Sequence, residues 1–208
     1  MSNPSEQLTE QESLQIIQQM IQSAKQEQKD DGLGWILWGW MLFLASMLTI
    51  LNIQFAWVQT FFFWNIFGLL SIVLLVLSIF KKLVYKTKRG VRTYTKEIFD
   101  KLNIGFTITL LLNIVAMNVA VNPLIGFALL TALYGFWVMI YGALLNFKPS
   151  MIAAFLVWTC AGVAMFVSTF QWVMVLHGIA VLVGYIIPGY MANYEFKKAS
   201  GRQLNKSN

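Results

Sequence analysis

His177 is the residue whose type alone allows proton chemistry near neutral pH. It is the only histidine in the chain, and an unperturbed imidazole has a pKa of about 6.5. On a helix it shares a face with Val181, Gly184 and Pro188, at steps of four, three and four residues. One hypothesis is a proton-linked gate or a ligand contact; the other is a neutral imidazole that hydrogen-bonds a neighbouring helix. The second is favoured, because residues 102 to 194 contain no Asp or Glu to pair with it.

A second candidate site is a stripe of four polar residues, Asn103, Thr107, Asn118 and Asn122. At about 100° per residue they fall on one side of a helix. In one interpretation the stripe lines a hydrated path for a small solute, with His177 as a proton-sensitive group. In the other, which is favoured, its side chains hydrogen-bond between helices, a common device in membrane bundles.

The sequence lacks the residues that a metal site or a nucleophilic active site requires. A solitary His177 and a solitary Cys160 cannot supply a zinc shell of nitrogen and sulfur ligands. The sequence also contains no HExxH, CxxC, GxSxG or GxxxxGK[ST] pattern. We therefore predict that the chain is not an enzyme, with no catalytic residue, no cofactor and no metal site.

The elements that must position these residues are long apolar helices. The chain is 58% hydrophobic and 12% charged, whereas about a quarter of the residues of a soluble domain are charged. Residues 32 to 80 contain no charged residue, and residues 102 to 194 contain only Lys148. Since a membrane-crossing helix needs about 20 apolar residues, we predict an all-α polytopic membrane bundle (32–193) with six transmembrane helices. Their expected bounds are about 34–53, 60–80, 103–122, 124–146, 150–169 and 171–191.

The distribution of charge predicts how these helices are oriented. Basic residues concentrate in the loop 81–101, at Lys148 and in the tail 194–208, while the loops after spans one, three and five are uncharged. Because Lys and Arg accumulate in cytoplasmic loops, both termini are expected in the cytoplasm. The bilayer and its anionic headgroups are the expected partner of the basic loop, and nucleic acid is not expected.

The N-terminal segment 1–31 is predicted to contain a cytoplasmic amphipathic helix. Thr9 and Glu12 form a capping box at its start. An apolar stripe then follows at helical spacing and comprises Leu14, Ile17, Met20, Ile21 and Ala24. The stripe is either a docking face for a partner protein or a face that lies against the chain's own basic loop or the membrane surface. The latter is favoured, because such stripes most often cover the nearest apolar surface.

Tryptophans and small residues also carry structural predictions. Trp35, Trp38 and Trp40 point in different directions at the start of the first span and are predicted to belong to the interfacial aromatic belt rather than to one pocket. A stripe of small residues along the fourth span predicts close approach of another helix; it consists of Ala128, Ala132, Gly135 and Gly142. A kink is expected at IIPGY near Pro188.

Three segments of the sequence are similar to a known pattern: ESLQIIQQMIQSAK leading into LGWILWGWMLFLAS, GALLNFKPSMIAAFLVW, and VGYIIPGYMANYEFKK. Together they resemble a recurring type of small bacterial membrane protein that has an ESLQ-type N-terminal helix, a WGW start to its first span and a closing IPGY. The resemblance implies a six-span inner-membrane protein without an assigned activity, and it brings no catalytic or ligand residue.

The function expected from the sequence is that of a non-enzymatic accessory or regulatory membrane subunit. It would contact a cytoplasmic protein through residues 9–29 or 81–101, and homo-oligomerisation stays open. The alternative is a small-solute channel or transporter, proton-sensitive through His177. An intramembrane enzyme ranks third.

Overall fold

The computed structural model describes Leu14 and residues 31–84, 94–119 and 122–204, and these are helical apart from short turns, with no strand among them. The all-α prediction is therefore confirmed for the described residues. The helices are α1 (Leu33–Phe55), α2 (Phe62–Val84), α3 (Tyr94–Val119), α4 (Pro123–Leu144), α5 (Lys148–Ala164), α6 (Phe170–Val181) and α7 (Ile187–Leu204), with a π-helical turn at Leu182–Ile186 between the last two.

Four helical segments are long and apolar enough to cross a membrane. They are Leu33–Phe55, Glu97–Val119, Pro123–Leu144 and Phe170–Lys198, and two shorter apolar segments lie at Phe62–Leu74 and Lys148–Ala164. Length and composition thus fit a helical bundle in a membrane.

The described ends of the predicted loop 81–101 are helical. α2 continues to Val84 and α3 begins at Tyr94. Glu97 and Lys101 form an ion pair of 2.7 Å one helical turn apart on α3, and such pairs support an exposed helix. In the predicted tail 194–208, α7 likewise continues to Leu204. Charged residues mark where an apolar span ends, but the helix itself continues past them.

The centre of the bundle is built from α1, α4, α5 and α6, while α2 packs against α1 and α3 packs against α4. α4 and α5 form a tight hairpin along the stripe of small residues. A Cβ at Gly135 would lie 2.6 Å from the Trp158 ring, and Trp158 Nε1 donates a hydrogen bond of 3.0 Å to the carbonyl of Ala132. Small side chains let the two backbones approach closely, as the sequence predicts.

The π-helical turn lies directly before Pro188. There the amide of Ile187 donates to the carbonyl of Leu182, five residues back. Proline has no amide hydrogen, and its ring would collide with the turn before it in a regular α-helix. The wider turn accommodates the ring, and the chain continues as α7. This turn lies at the position where the sequence predicts a kink.

Contacts between the helices define two ends of the bundle. At one end Asn193 Nδ2 donates to the carbonyl of Asp31 at 2.7 Å, and the Tyr141 ring lies 4.2 Å from Trp35 and 6.5 Å from Phe99. The other end joins different residues: the Phe170 ring lies 5.4 Å from Phe61 and 5.3 Å from Phe127.

Candidate functional site around His177

His177 lies in the centre of the bundle on α6, with 1% of its surface exposed. α1 packs against α6 beside His177: a Cβ at the neighbouring Gly178 would lie 3.8 Å from Ser46 Cβ and 2.7 Å from Cε at the end of the flexible Met47 side chain. This packing brings Ser46 within hydrogen-bonding distance of the imidazole, with Oγ 2.9 Å from Nδ1 of His177.

Ser46 Oγ lies within hydrogen-bonding distance of two partners, the carbonyl of Leu42 at 3.0 Å and Nδ1 of His177 at 2.9 Å. A hydroxyl group donates one hydrogen and accepts others, so it donates to Nδ1 in one tautomer of the imidazole and accepts from Nδ1 in the other. In both tautomers the hydrogen bond joins α1 to α6, and Nε2 lies on the side of the ring away from Ser46.

Aromatic rings from α2 and α4 enclose the other sides of the imidazole. The His177 ring centroid lies 5.2 Å from Trp64, 5.7 Å from Tyr134 and 6.2 Å from Phe127. Trp64 and Phe127 also contact each other edge to face at 4.7 Å, a favourable geometry for aromatic pairs. Three helices besides α6 thus hold His177: α1 through a hydrogen bond, and α2 and α4 through ring contacts.

A buried polar column on α1 was missed by sequence reasoning. Ser46, Thr49 and Asn52 recur at steps of three residues, and all are buried. Thr49 Oγ1 donates to the carbonyl of Ala45 at 2.7 Å. The Asn52 amide group closes the turn after α1, since it donates to the carbonyl of Val58 and accepts from the Val58 amide, both at 2.9 Å. The three-residue spacing was the signal that could have found this column.

The structure does not bring the polar stripe of α3 together with His177. Asn103, Asn118 and Asn122 are exposed and Thr107 is half-buried. Their hydrogen bonds remain local: Thr107 Oγ1 donates to the carbonyl of Asn103 at 2.8 Å, and Asn118 Nδ2 to the carbonyl of Ile114 at 2.7 Å. Asn122 Oδ1 accepts from the Leu124 amide at 3.0 Å and so caps α4.

The predicted docking face of the N-terminal helix is described only at its first member. Leu14 is helical, and 57% of its surface is exposed. Its remaining members, Ile17, Met20, Ile21 and Ala24, lie outside the described residues.

The tryptophans of the first span do point apart, but Trp35 does not belong to an interfacial belt. Its ring is buried and lies 4.2 Å from Tyr141 and 4.7 Å from Tyr185. Trp38 packs against a different helix, α2, and Trp40 Nε1 donates to the hydroxyl of Tyr190 at 3.3 Å. Trp35 is thus a core residue, and the interpretation as a belt is wrong for it.

Ser46 and His177 have the side-chain atoms of a nucleophile and its base, but their burial suits a structural hydrogen bond between α1 and α6. A catalytic serine must be reached by its substrate, whereas Ser46 and His177 are both almost fully buried. Aromatic rings of α2 and α4 lie against the imidazole. Among the residues that the structure describes, no three His, Cys, Asp or Glu side chains form a group that could hold a metal ion.

Comparisons of the chain with protein-family models, with curated proteins and with solved structures found no match in any of the three. Its function is therefore inferred from the site around His177 and from the distribution of charge over the bundle.

Proposed function

We propose that the chain is a six-span protein of the bacterial inner membrane, of the type that its sequence resembles, with both termini in the cytoplasm. In this proposal it acts as a non-enzymatic accessory or regulatory subunit and contacts a cytoplasmic protein. The N-terminal stripe that begins with Leu14, or the basic segment 81–101, supplies the contact.

One observation carries the proposal: basic residues gather at one end of the bundle. Lys101 follows Phe99 by two residues on α3, and Lys148 is the first residue of α5, after the turn that ends α4. Lys197 follows Asn193 by one helical turn on α7. All three lysines lie near the end of the bundle that contains Tyr141. The turns at the opposite end, 56–61 and 165–169, contain no charged residue. This asymmetry supports a cytoplasmic location for the basic end.

Cysteine labelling in intact cells tests the orientation. In a Cys160→Ser background, we expect Ser168→Cys, in the turn at the uncharged end, to react with a membrane-impermeant maleimide from outside. Glu195→Cys, at the basic end, should react only after the cells are permeabilised. Both positions are exposed in the structure, so burial does not explain a difference between them. Labelling of Glu195→Cys in intact cells would contradict the proposed orientation.

Crosslinking in native membranes tests the role as a subunit. We expect the full chain to crosslink reproducibly to a cytoplasmic protein, and a chain lacking residues 1–29 to lose that product while labelling at Ser168→Cys is unchanged. A product that persists after the deletion but disappears when the lysines of segment 81–101 are neutralised would assign the contact to the basic segment. Persistence in both variants would contradict the proposal.

A small-solute channel or transporter is the second candidate function, and the buried polar column of α1 favours it. Ser46, Thr49 and Asn52 lead from His177 towards the uncharged turn after α1. Such a column, rather than the exposed stripe of α3, would line a path through the interior.

Flux measurements with purified protein in vesicles distinguish the two stripes. If the α1 column conducts a solute or protons, His177→Leu should lower the flux about tenfold, as expected when a hydrogen bond worth about 1.4 kcal/mol is lost from the path. Asn118→Leu should leave it unchanged, because the side chain of Asn118 is exposed and bonds to its own helix. The opposite order of effects would favour the α3 stripe, and an equal flux in all three proteins would exclude both paths.

A further inference from the structure

Two buried polar atoms on neighbouring aromatic rings have no hydrogen-bond partner among the described residues. They are Nε2 of His177 and Nε1 of Trp64. Their rings lie 5.2 Å apart, with an interplanar angle of 81°. A buried polar group without a partner is destabilising, and native proteins usually satisfy such groups with protein atoms or ordered water. Finding two of them on adjacent rings therefore indicates a shared partner.

Both atoms suit a hydroxyl group. The indole Nε1 of Trp64 can only donate. His177 Nε2 accepts in one tautomer of the imidazole and donates in the other. One hydroxyl group can accept from the indole and either donate to or accept from the imidazole, so a single small molecule can satisfy both atoms.

The surrounding residues restrict the size and charge of that molecule. Phe127 and Tyr134 hold their rings within 6.2 Å and 5.7 Å of the His177 ring. The described groups that face His177 are Ser46, Trp64, Phe127 and Tyr134, and none of them carries a formal charge at neutral pH. An ion would thus lose its hydration without gaining a counter-charge.

We propose that His177 and Trp64 form an internal binding site for one neutral hydroxyl group, supplied by water or by a small alcohol. The site lies inside the bundle, between α2, α4 and α6, and it goes beyond the proposed role as a subunit. Water is suited to such a position because buried waters typically bridge polar atoms that lack protein partners.

Nuclear magnetic resonance of the full chain in lipid nanodiscs tests the site with water as the probe. We expect magnetisation transfer from water to both the Trp64 indole hydrogen and the His177 ring. In Trp64→Phe, which keeps an aromatic ring but removes the donor, transfer to His177 should fall to background. Trp57→Phe is the matched control, since 61% of the Trp57 surface is exposed, and it should leave transfer to His177 unchanged.

A methanol titration distinguishes the two sources of the hydroxyl group. A saturable shift of the Trp64 indole resonance, with loss of the water transfer, would identify an alcohol site; retention of the water transfer without a shift would identify a water site. The proposal is overturned if neither probe reaches the two side chains. It is also overturned if a coupling across a hydrogen bond joins Trp64 Nε1 directly to His177 Nε2, because the two atoms would then satisfy each other.

Discussion

Replacing Trp35 by alanine should lower the free energy of unfolding by about 3–5 kcal/mol, the range found when a buried aromatic side chain is truncated. The Trp35 ring is 8% exposed and packs between Tyr141 on α4 and Tyr185 on the π-helical turn. Its loss would leave a cavity where three segments meet. In a bilayer this packing is the main force between helices, so the cavity is not offset by the surrounding lipid.

Unfolding of purified protein in mixed micelles of mild detergent and dodecyl sulfate, followed by circular dichroism, measures this effect. Trp57→Ala removes the same side chain from a position that is 61% exposed, and it should change the free energy of unfolding by less than about 0.5 kcal/mol. Trp35→Phe should recover part of the loss. Equal effects of Trp35→Ala and Trp57→Ala would contradict the core position of Trp35.

Gly142→Ala should be the most damaging single-methyl substitution in the hairpin of α4 and α5, with an expected loss of about 1–3 kcal/mol from overpacking. A Cβ at Gly142 would lie 2.8 Å from the backbone nitrogen of Met151 and 3.1 Å from the carbonyl oxygen of Phe147. Since these are backbone atoms, a change of rotamer cannot relieve the collision, and the two helices would have to separate.

Gly105→Ala is the matched control for this substitution. Gly105 also lies within a helix, α3, but a Cβ there would meet no atom within 4 Å. Because alanine favours a helix over glycine by about 1 kcal/mol, Gly105→Ala should be neutral or stabilising. The same unfolding assay compares the two variants. A stable Gly142→Ala protein would mean that the hairpin is looser than the structure describes.

The sequence predicts helix positions well because hydropathy depends on the segment itself. The sequence predicts less well which side chains contact each other in the bundle, as Trp35 shows. Its angular position relative to Trp38 and Trp40 follows from helix geometry, and the three side chains do reach different neighbours. Whether a tryptophan faces lipid headgroups or another helix depends on residues that are distant in sequence, such as Tyr141 and Tyr185.

The same limit applies to the candidate site. His177 stands out in the sequence because it is the only histidine. Ser46 does not stand out, because serine and threonine are common in apolar spans, where their hydroxyl groups can hydrogen-bond to a carbonyl of their own helix. The stripe of Asn103, Thr107, Asn118 and Asn122 is more conspicuous in the sequence because asparagine is more polar than serine or threonine. Its four members are largely exposed and bond locally, while the column on α1 is buried and its first member, Ser46, contacts His177.

The π-helical turn sets the rotational phase of everything that follows it. Its hydrogen bond encloses one residue more than an α-helical bond, and one residue corresponds to about 100° of rotation. If the same five residues formed a regular α-helix, α7 would be turned by about that angle. Tyr190 would then face away from Trp40, and Asn193 away from Asp31. The alignment of the C-terminal helix with the N-terminal segment therefore depends on this turn remaining π-helical, because the wide turn absorbs one residue.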